Sequence, residues 1–537
     1  MTIAARARTF TASAVIALTL SAGGVQAQDV AIRVTAQQQT IAEAAAIDRD
    51  LAGFYRASDF APIWTGTGPE HLERRRALFA ILEKANDHGL PARAYDVPGL
   101  IEAMRTARTG TELGRLDVRM SQLFLDYAVD LQTGRLTPAK IDSGIVRKVP
   151  LRDREGYLQG ITSSDPMGFV NSLAPQSLEY TRLMREKLRL EDLLAAGGFG
   201  PAIRSGKLEP GDSGADVVAL RNRLMTMGYL PRRVDATYDA EMEGAVLQFQ
   251  MDHGLPEDGV AGTATIAELN VPAEDRLKSV IVAMERERWI NRDLGDRHIL
   301  VNLTDFHARI MDGDKVYFKT RSVIGKNIPT HRTPEFSDVM EHMIINPTWN
   351  VPRSIAVREY LPAFKRNPGS NSHLKLIDGR GRVVDRSQVD FAAYSAKNFP
   401  FDLKQPPSSR NALGLVKFMF PNPNNIYLHD TPAKSLFARD VRAFSHGCIR
   451  LQDPFDFAYA LLAWQSDDPK GLFQSKLNTG RETKVDLVNP LPVHLIYRTA
   501  MSQPKGHMTY RRDVYGRDAQ IWDALAREGV ELAGVQG

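Results

Sequence analysis

Cysteine is almost missing from this chain: Cys448 is the only one in 537 residues. One thiol builds no intramolecular disulfide framework, so packed cores must hold the fold. Long apolar runs are missing too, since the stretch Ala12 to Leu20 is too short for a convincing membrane span and no later stretch approaches that length. Charge of one sign is not in excess either. With 68 Lys and Arg against 64 Asp and Glu there is no electrostatic case for nucleic acid as a partner. Low-complexity tracts and long charge runs do not occur. A hydrophobic content of 43% over 537 residues supports several cores, hence two to four domains.

The N-terminus reads as an export signal. Arg6 and Arg8 form a basic n-region, Ala12 to Leu20 an apolar h-region, and Val25-Gln26-Ala27 a small-residue cleavage site. Residues 1–27 are therefore expected to be a signal peptide and the remainder to be extracytoplasmic. Retention of the signal as an anchor is the alternative.

From Ile41 to Gly200 the apolar spacing is helical, as in Leu72-Leu78-Leu82 and Leu116-Met120-Leu123-Phe124-Tyr127-Leu131. Leu178 to Ala195 alternates its charges and reads as a surface-lying helix. Residues 28–205 are assigned to a helical scaffold domain. Residues 207–271 form a separate unit: a turn at Pro210 to Gly214, a helix with Val217, Leu220, Leu224 and Met227 on one face, and a second helix with Val246, Phe249 and Met251 stopping at Gly254. A linking helix is expected over 272–296.

At His298 the period changes to two. Ile299-Val301-Leu303 alternate, and Ala308 to Met311 with Val316 to Val323 make a hairpin around Asp312-Gly313. Further strand-like runs at Met343 to Ile345, Asn425 to His429 and Val493 to Tyr497 make 297–500 a mostly antiparallel β domain. Its Pro-, Gly-, Asn- and Ser-rich stretch 353–410, with a strand pair at Leu374 to Val384, reads as an inserted cap or lid. A helical tail, 501–537, follows.

Chemistry concentrates between Lys417 and Asp453. In Asn425 to Asp430, Ile426 and Leu428 face a core and leave Tyr427 and His429 on the opposite face. Phe444 to Leu451 places Cys448 and Arg450 together in the same way. Asp453-Pro454-Phe455-Asp456 then starts a helix with Asp453 as its N-cap. A thiol works as a nucleophile only when deprotonated, and an imidazole that takes its proton and later returns it to a leaving amine supplies that chemistry. His429 approaches from another strand and is favoured as the base. His446, two residues from Cys448 on the same strand, is given an orienting role. Gly447 lets the backbone come close, so the amides at Gly447-Cys448 are candidate oxyanion donors.

Two family resemblances follow from these motifs. Residues 207–271 resemble the three-helix peptidoglycan-binding domain of cell-wall hydrolases through Gly211-Asp212, Gly214, Val217, Leu220, Leu224, Gly228-Tyr229-Leu230, Phe249-Gln250, Gly254-Leu255, Asp258-Gly259, Gly262 and Thr265. The linker Arg232 to Tyr238 departs by lacking the usual glycine. His429-Asp430-Thr431-Pro432 with Phe444 to Arg450 resembles the active-site signature of L,D-transpeptidases. Asn346 to Pro352, Asn411 to Phe418 and Phe420-Pro421-Asn422 are similar to the large periplasmic type, with scaffold, peptidoglycan-binding module and capping subdomain.

The resemblance implies a multidomain α+β protein in the periplasm, and a cysteine acyltransferase that cross-links diaminopimelate residues of peptidoglycan tetrapeptide stems through a Cys448 thioester. It further implies acylation by carbapenems, substrate contacts from Tyr427, Ser445, Arg450 and Trp349, and no metal or organic cofactor. Donor and acceptor stems are the partners, with other cell-wall synthesis enzymes as further candidates. Rival readings are a non-catalytic cell-wall scaffold protein, an L,D-carboxypeptidase, a lipoprotein-attachment enzyme, an inert buried cysteine, and a zinc site of Cys448, His429 and His446 that lacks a clear fourth ligand.

Overall fold

The computed structural model describes residues 34–503 and 507–532. The expected signal peptide lies outside them. Helices of 4 to 24 residues separated by turns and short loops fill the region from Ala36 to Ala195. The longest, Gly110–Thr133, begins with a capping box in which Thr109 and Glu112 each satisfy the other's backbone N–H. It buries Leu116, Met120, Phe124, Tyr127 and Leu131, as the spacing predicts. Leu72 departs from that stripe and is exposed. It lies in the first turn of its helix, where the chain has only begun to face the core.

Three helices, Ala215–Thr226, Ala240–His253 and Thr263–Leu269, make the next unit. Val217, Leu220, Leu224, Val246 and Phe249 share its core, whereas Met251 points to solvent. The second helix ends on Gly254 in the left-handed conformation (φ 65°), a backbone state that costs glycine little. Gln250 is buried and bonds Asp258, Gly259, Val260 and Thr265 with both ends of its amide. Tyr238 is buried as well, its hydroxyl donating to the Gly259 carbonyl. Both are turn-fixing residues, unable to reach a glycan without unfolding the turn.

The linking helix Ala273–Trp289 runs between the scaffold, the catalytic domain and the C-terminal helix Arg517–Arg527. Its last turns bury Glu285, Arg286, Glu287 and Arg288. Each of those charges has a partner. Arg286 reaches Glu335 at 2.6 Å and Asp518 at 2.8 Å, Arg288 reaches Glu285 at 2.7 Å, and Glu287 takes Arg498 at 2.6 Å. Removing one member of such a set would strand the other charge, at a cost of about 3–5 kcal/mol. The tail differs from the expected all-helical segment, because Ala500–Met501 and Thr509–Tyr510 first pair as short antiparallel strands.

The catalytic domain is a closed sheet. Its strands are β1 (Arg297–Asn302), β2 (His307–Asp312), β3 (Lys315–Gly325), β4 (Phe336–Ile345), β9 (Val416–Met419), β10 (Leu428–His429), β11 (Ala443–Ser445), β12 (Ile449–Leu451) and β13 (Thr483–Ile496). The inserted region contributes β6 (Lys375–Ile377), β7 (Val383–Val384) and β8 (Asp402–Gln405), and β5 (Trp349–Asn350), just before it, pairs with β8. Around the barrel the order is β3, β12, β10, β9, β4, β13, β1, β2, and β2 returns to β3. Closure removes the free edges that an open sheet would expose. Most neighbours are antiparallel, but β1 with β13, β10 with β12 and β3 with β11 run parallel. The core is apolar throughout, with Ile299, Val301, Met343, Phe418, Leu428, Ile449 and Leu451 fully buried.

Residues 353–410 form a small subdomain with its own core. Leu361, Phe364, Leu376, Phe391, Phe399 and Leu403 pack beneath a four-stranded sheet ordered β5, β8, β6, β7. A segment with that much burial is a folded cap, and its β6–β7 pair coincides with the strand pair expected from the sequence.

Candidate active site

The site is a product of strand register. Directly paired residues on neighbouring strands project to the same face. His429 pairs with Arg450 on β12 and with Lys417 on β9, so the imidazole sits between two cations. Leu428, its neighbour, pairs with Ile449 and Phe418 and faces the core. The parallel pairing of β10 and β12 requires a crossover, since parallel strands cannot be joined by a tight turn. Residues 430–448, with the short helix Lys434–Ala438 and β11, supply it. His429 precedes that crossover and Cys448 is its last residue, which accounts for their separation in sequence.

His429 is buried, and its Nδ1–H donates to the Asp430 carbonyl at 2.5 Å. That bond fixes the tautomer with Nε2 unprotonated. Burial, then the Arg450 charge, hold the imidazole pKa down to about 3, so it is neutral at ordinary pH. The carbonyl is itself held in place. The Asp430 carboxylate accepts the N–H groups of Leu415 and Thr431 and the Lys434 ammonium at 2.9 Å.

Cys448 lies at the entry to β12 with its side chain partly exposed. Its thiol donates to the Asn425 carbonyl at 3.5 Å. Burial pushes the thiol pKa up to about 11, against the pull of hydrogen bonds from Tyr427 and the charges of Arg450 and Lys417. Tyr427 stands beside both groups, its ring 5.6 Å from the His429 ring and its phenol pKa raised well above the ordinary value by burial and then by Cys448. Among the described residues no hydrogen bond joins His429 to Cys448. Proton transfer between them needs the cysteine side chain to turn from Asn425 toward the imidazole.

Several sequence-derived candidates sit elsewhere. Ser445 is buried, donating its hydroxyl to the Cys448 carbonyl at 2.6 Å and accepting the Gly447 N–H at 3.0 Å. It shapes the catalytic loop from within and does not line the substrate face. The same bond occupies the Gly447 amide, so of the two candidate donors at Gly447-Cys448 only the Cys448 N–H is left without an acceptor among the described residues. Gly447 itself has φ +121°, and a Cβ there would meet Ile426 Cδ1 at 3.3 Å. Trp349 is 9% exposed in the cap core, edge-on to Tyr360, and supports the cap instead of contacting the thiol. His446 turns toward the cap, donating Nε2–H to Glu359 at 2.6 Å.

Arg450 has no carboxylate partner within 4 Å among the described residues, and its buried Nε–H lacks an acceptor. Lys417 was not singled out from the sequence. The burial of Val416 and Phe418 on either side, a period of two, is the signal that places it on the open face. Asp453 occupies the N-cap position of the helix Pro454–Leu462, but its carboxylate accepts Thr320 Oγ1 at 2.9 Å and makes no capping bond. A cleft of about 470 Å³ opens beside His446 and Gly447, between the loop 329–334 and scaffold residues Asp142 to Gly144.

Comparison with known proteins matches three parts of the chain. Residues 49–186 match the family described as Scaffold domain, 213–269 that described as "Putative peptidoglycan binding domain", and 296–485 the L,D-transpeptidase catalytic domain. A Haemophilus influenzae protein named "Putative L,D-transpeptidase" is 32% identical over 260 residues, covering 46% of this chain and 51% of that protein. The chain thus spans about half the length of this curated relative. The crystal structure of an L,D-transpeptidase from Xylanimonas cellulosilytica is 15% identical, covering 55% of this chain and 100% of that chain, with a TM-score of 0.17. A fused Zn-dependent amidase/peptidase/peptidoglycan-binding protein from Clostridium acetobutylicum is 13% identical, covering 54% and 99%, with a TM-score of 0.15. Scores that low do not bear on the fold. The chain thus joins a match to the L,D-transpeptidase catalytic domain to preceding matches to a scaffold domain and a putative peptidoglycan-binding domain.

Proposed function

We propose that the chain cross-links peptidoglycan stems by L,D-transpeptidation in the periplasm, after export through its N-terminal signal. The observation that carries this reading is the single face shared by Cys448, Tyr427, His429, Arg450 and Lys417. Cys448 turns from Asn425 toward His429, whose Nε2 takes the thiol proton as sulfur attacks the L-centre carbonyl of diaminopimelate in a donor tetrapeptide. The Cys448 N–H steadies the oxyanion. Collapse of the tetrahedral intermediate breaks the bond to the terminal D-alanine, whose amine receives the proton from His429. A thioester remains. The side-chain amine of a second stem then attacks it, gives up a proton to His429, and frees the thiol.

The unpaired guanidinium of Arg450 and the nearby Lys417 ammonium suit a stem-peptide carboxylate. Binding there brings the counter-charge that the described residues do not supply.

Intact-mass spectrometry with a carbapenem tests the acylation half. The wild type should gain one adduct and Cys448→Ala none. An equal adduct on Cys448→Ala would overturn the mechanism. Incubation with tetrapeptide sacculi tests the second half: cross-linked dimers support transfer, tripeptides alone indicate an L,D-carboxypeptidase, and unchanged sacculi indicate a non-catalytic wall-binding protein.

A further inference from the structure

Three separate segments converge beside the catalytic loop without belonging to its reactive face. His331 comes from the loop that follows β3, Glu359 from the cap, and His446 from the Ser-His-Gly-Cys motif. One ligand-capable atom from each lies within 4.8 Å of the other two. The imidazole rings of His331 and His446 are 4.5 Å apart, and His446 Nε2 is 2.6 Å from the Glu359 carboxylate.

Each segment is held independently. The loop carrying His331 closes so tightly that a Cβ on Gly325 would lie 1.8 Å from the His331 carbonyl. Thr333 joins that loop to the catalytic one, its hydroxyl donating to the Gly447 carbonyl at 2.8 Å while accepting the Gly325 N–H at 2.9 Å. Glu359 rides on a π-helical turn, Ala356–Tyr360, a widened geometry that recurs at functional sites. His331 Nδ1 is engaged by Thr330 Oγ1 at 3.0 Å, which leaves Nε2 to face its neighbours.

We propose that His331, Glu359 and His446 form a binding site for a divalent cation of the zinc class, fastening the cap to the catalytic loop. Two imidazole nitrogens and one carboxylate oxygen are a donor set that zinc takes with a fourth position left to water. Zinc bonds of about 2.0–2.1 Å in a tetrahedron put ligand atoms about 3.3 Å apart, so the trio needs only side-chain adjustment. Binding replaces the hydrogen bond between His446 Nε2 and Glu359, with His446 ligating as the imidazole whose ring proton sits on Nδ1. This trio differs from a zinc site built on Cys448, because His429 is locked to Asp430 and His446 faces away from it toward the cap. The consequence is mechanical: with the cation bound, the cap is tethered two residues from the nucleophile and substrate entry slows.

Calorimetric titration of zinc into the full chain tests the site without reference to activity. The wild type and Cys448→Ser should each bind one zinc ion with equal affinity. His331→Ala and Glu359→Gln should each weaken binding by about tenfold or more. Unchanged affinity in both of those variants, loss of binding in Cys448→Ser, or no binding by the wild type would overturn the proposal. A second readout uses the Cys448 chemistry proposed above: zinc should slow carbapenem acylation of the wild type and leave Glu359→Gln unaffected. Equal slowing of both would overturn the tether, whatever the titration shows. Failure of Cys448 to acylate at all would sink the functional reading while leaving the titration as a separate result.

Discussion

The two histidines of the signature live in opposite surroundings. His429 is sealed by the barrel, fixed through Nδ1 and held neutral between two cations, whereas His446 is partly exposed and tied to a carboxylate on the cap. The difference teaches how the fold divides its labour. Barrel register builds a buried, neutral imidazole that cannot move far. The cap side builds a contact that can open and close, since a single partly exposed hydrogen bond is worth only about 0.5–1.5 kcal/mol.

That contrast can be broken at its largest effect first. Replacing Cys448 by Ala should abolish the carbapenem adduct, as measured by intact mass. His429→Ala should slow acylation by about 10²–10⁴-fold in stopped-flow measurement, the usual contribution of a positioned acid–base group. If Glu359→Gln slowed it as much, the division between barrel and cap would be wrong.

The pH dependence sharpens the same point. With the His429 pKa near 3 and the thiol near 11, the neutral pair persists between them, so acylation in a His446→Gln background should be flat from about pH 5 to 9. A step near pH 6.5 in that background would show that His429 is not held neutral. Stability should respond as well. The folded-state value of His429 lies below the unfolded one, so its contribution is complete above about pH 6.5 and is lost as pH falls. At pH 5 the loss is about 2 kcal/mol, which thermal melts of wild type and His429→Gln at pH 5 and 8 should register as a smaller acid shift in the variant. The smallest effect belongs to Glu359→Gln without added zinc, expected to change acylation by less than about fivefold and the melting temperature not at all.

Legibility followed the regularity of the pattern. Val416-Lys417-Phe418 and Ile426-Tyr427-Leu428-His429 alternate cleanly, so their faces could be read before their neighbours were known. The linking helix could not. Met284-Glu285-Arg286-Glu287-Arg288 has the composition of a solvated surface, yet all five are buried, because partners from Glu335, Arg498 and Asp518 arrive from up to 232 residues away. Ser445 and Trp349 misled for a related reason. A hydroxyl or an indole near a motif looks available until the loop closes on it. Glu359 and His331 carried no local signal of any kind.

The sequence by itself determined the domain order, the alternation that puts Cys448, Tyr427, His429 and Arg450 on one kind of face, and the crossover length between the thiol and the imidazole. These depend on local periodicity and chain connectivity, which neighbouring residues encode. Only the tertiary structure decided that Arg450 and Lys417 flank the imidazole, that Gly447 spends its amide on Ser445, and that the cap's Glu359 meets His446. Those are contacts between distant segments, set by strand register and barrel closure, and no local stretch of chain contains them.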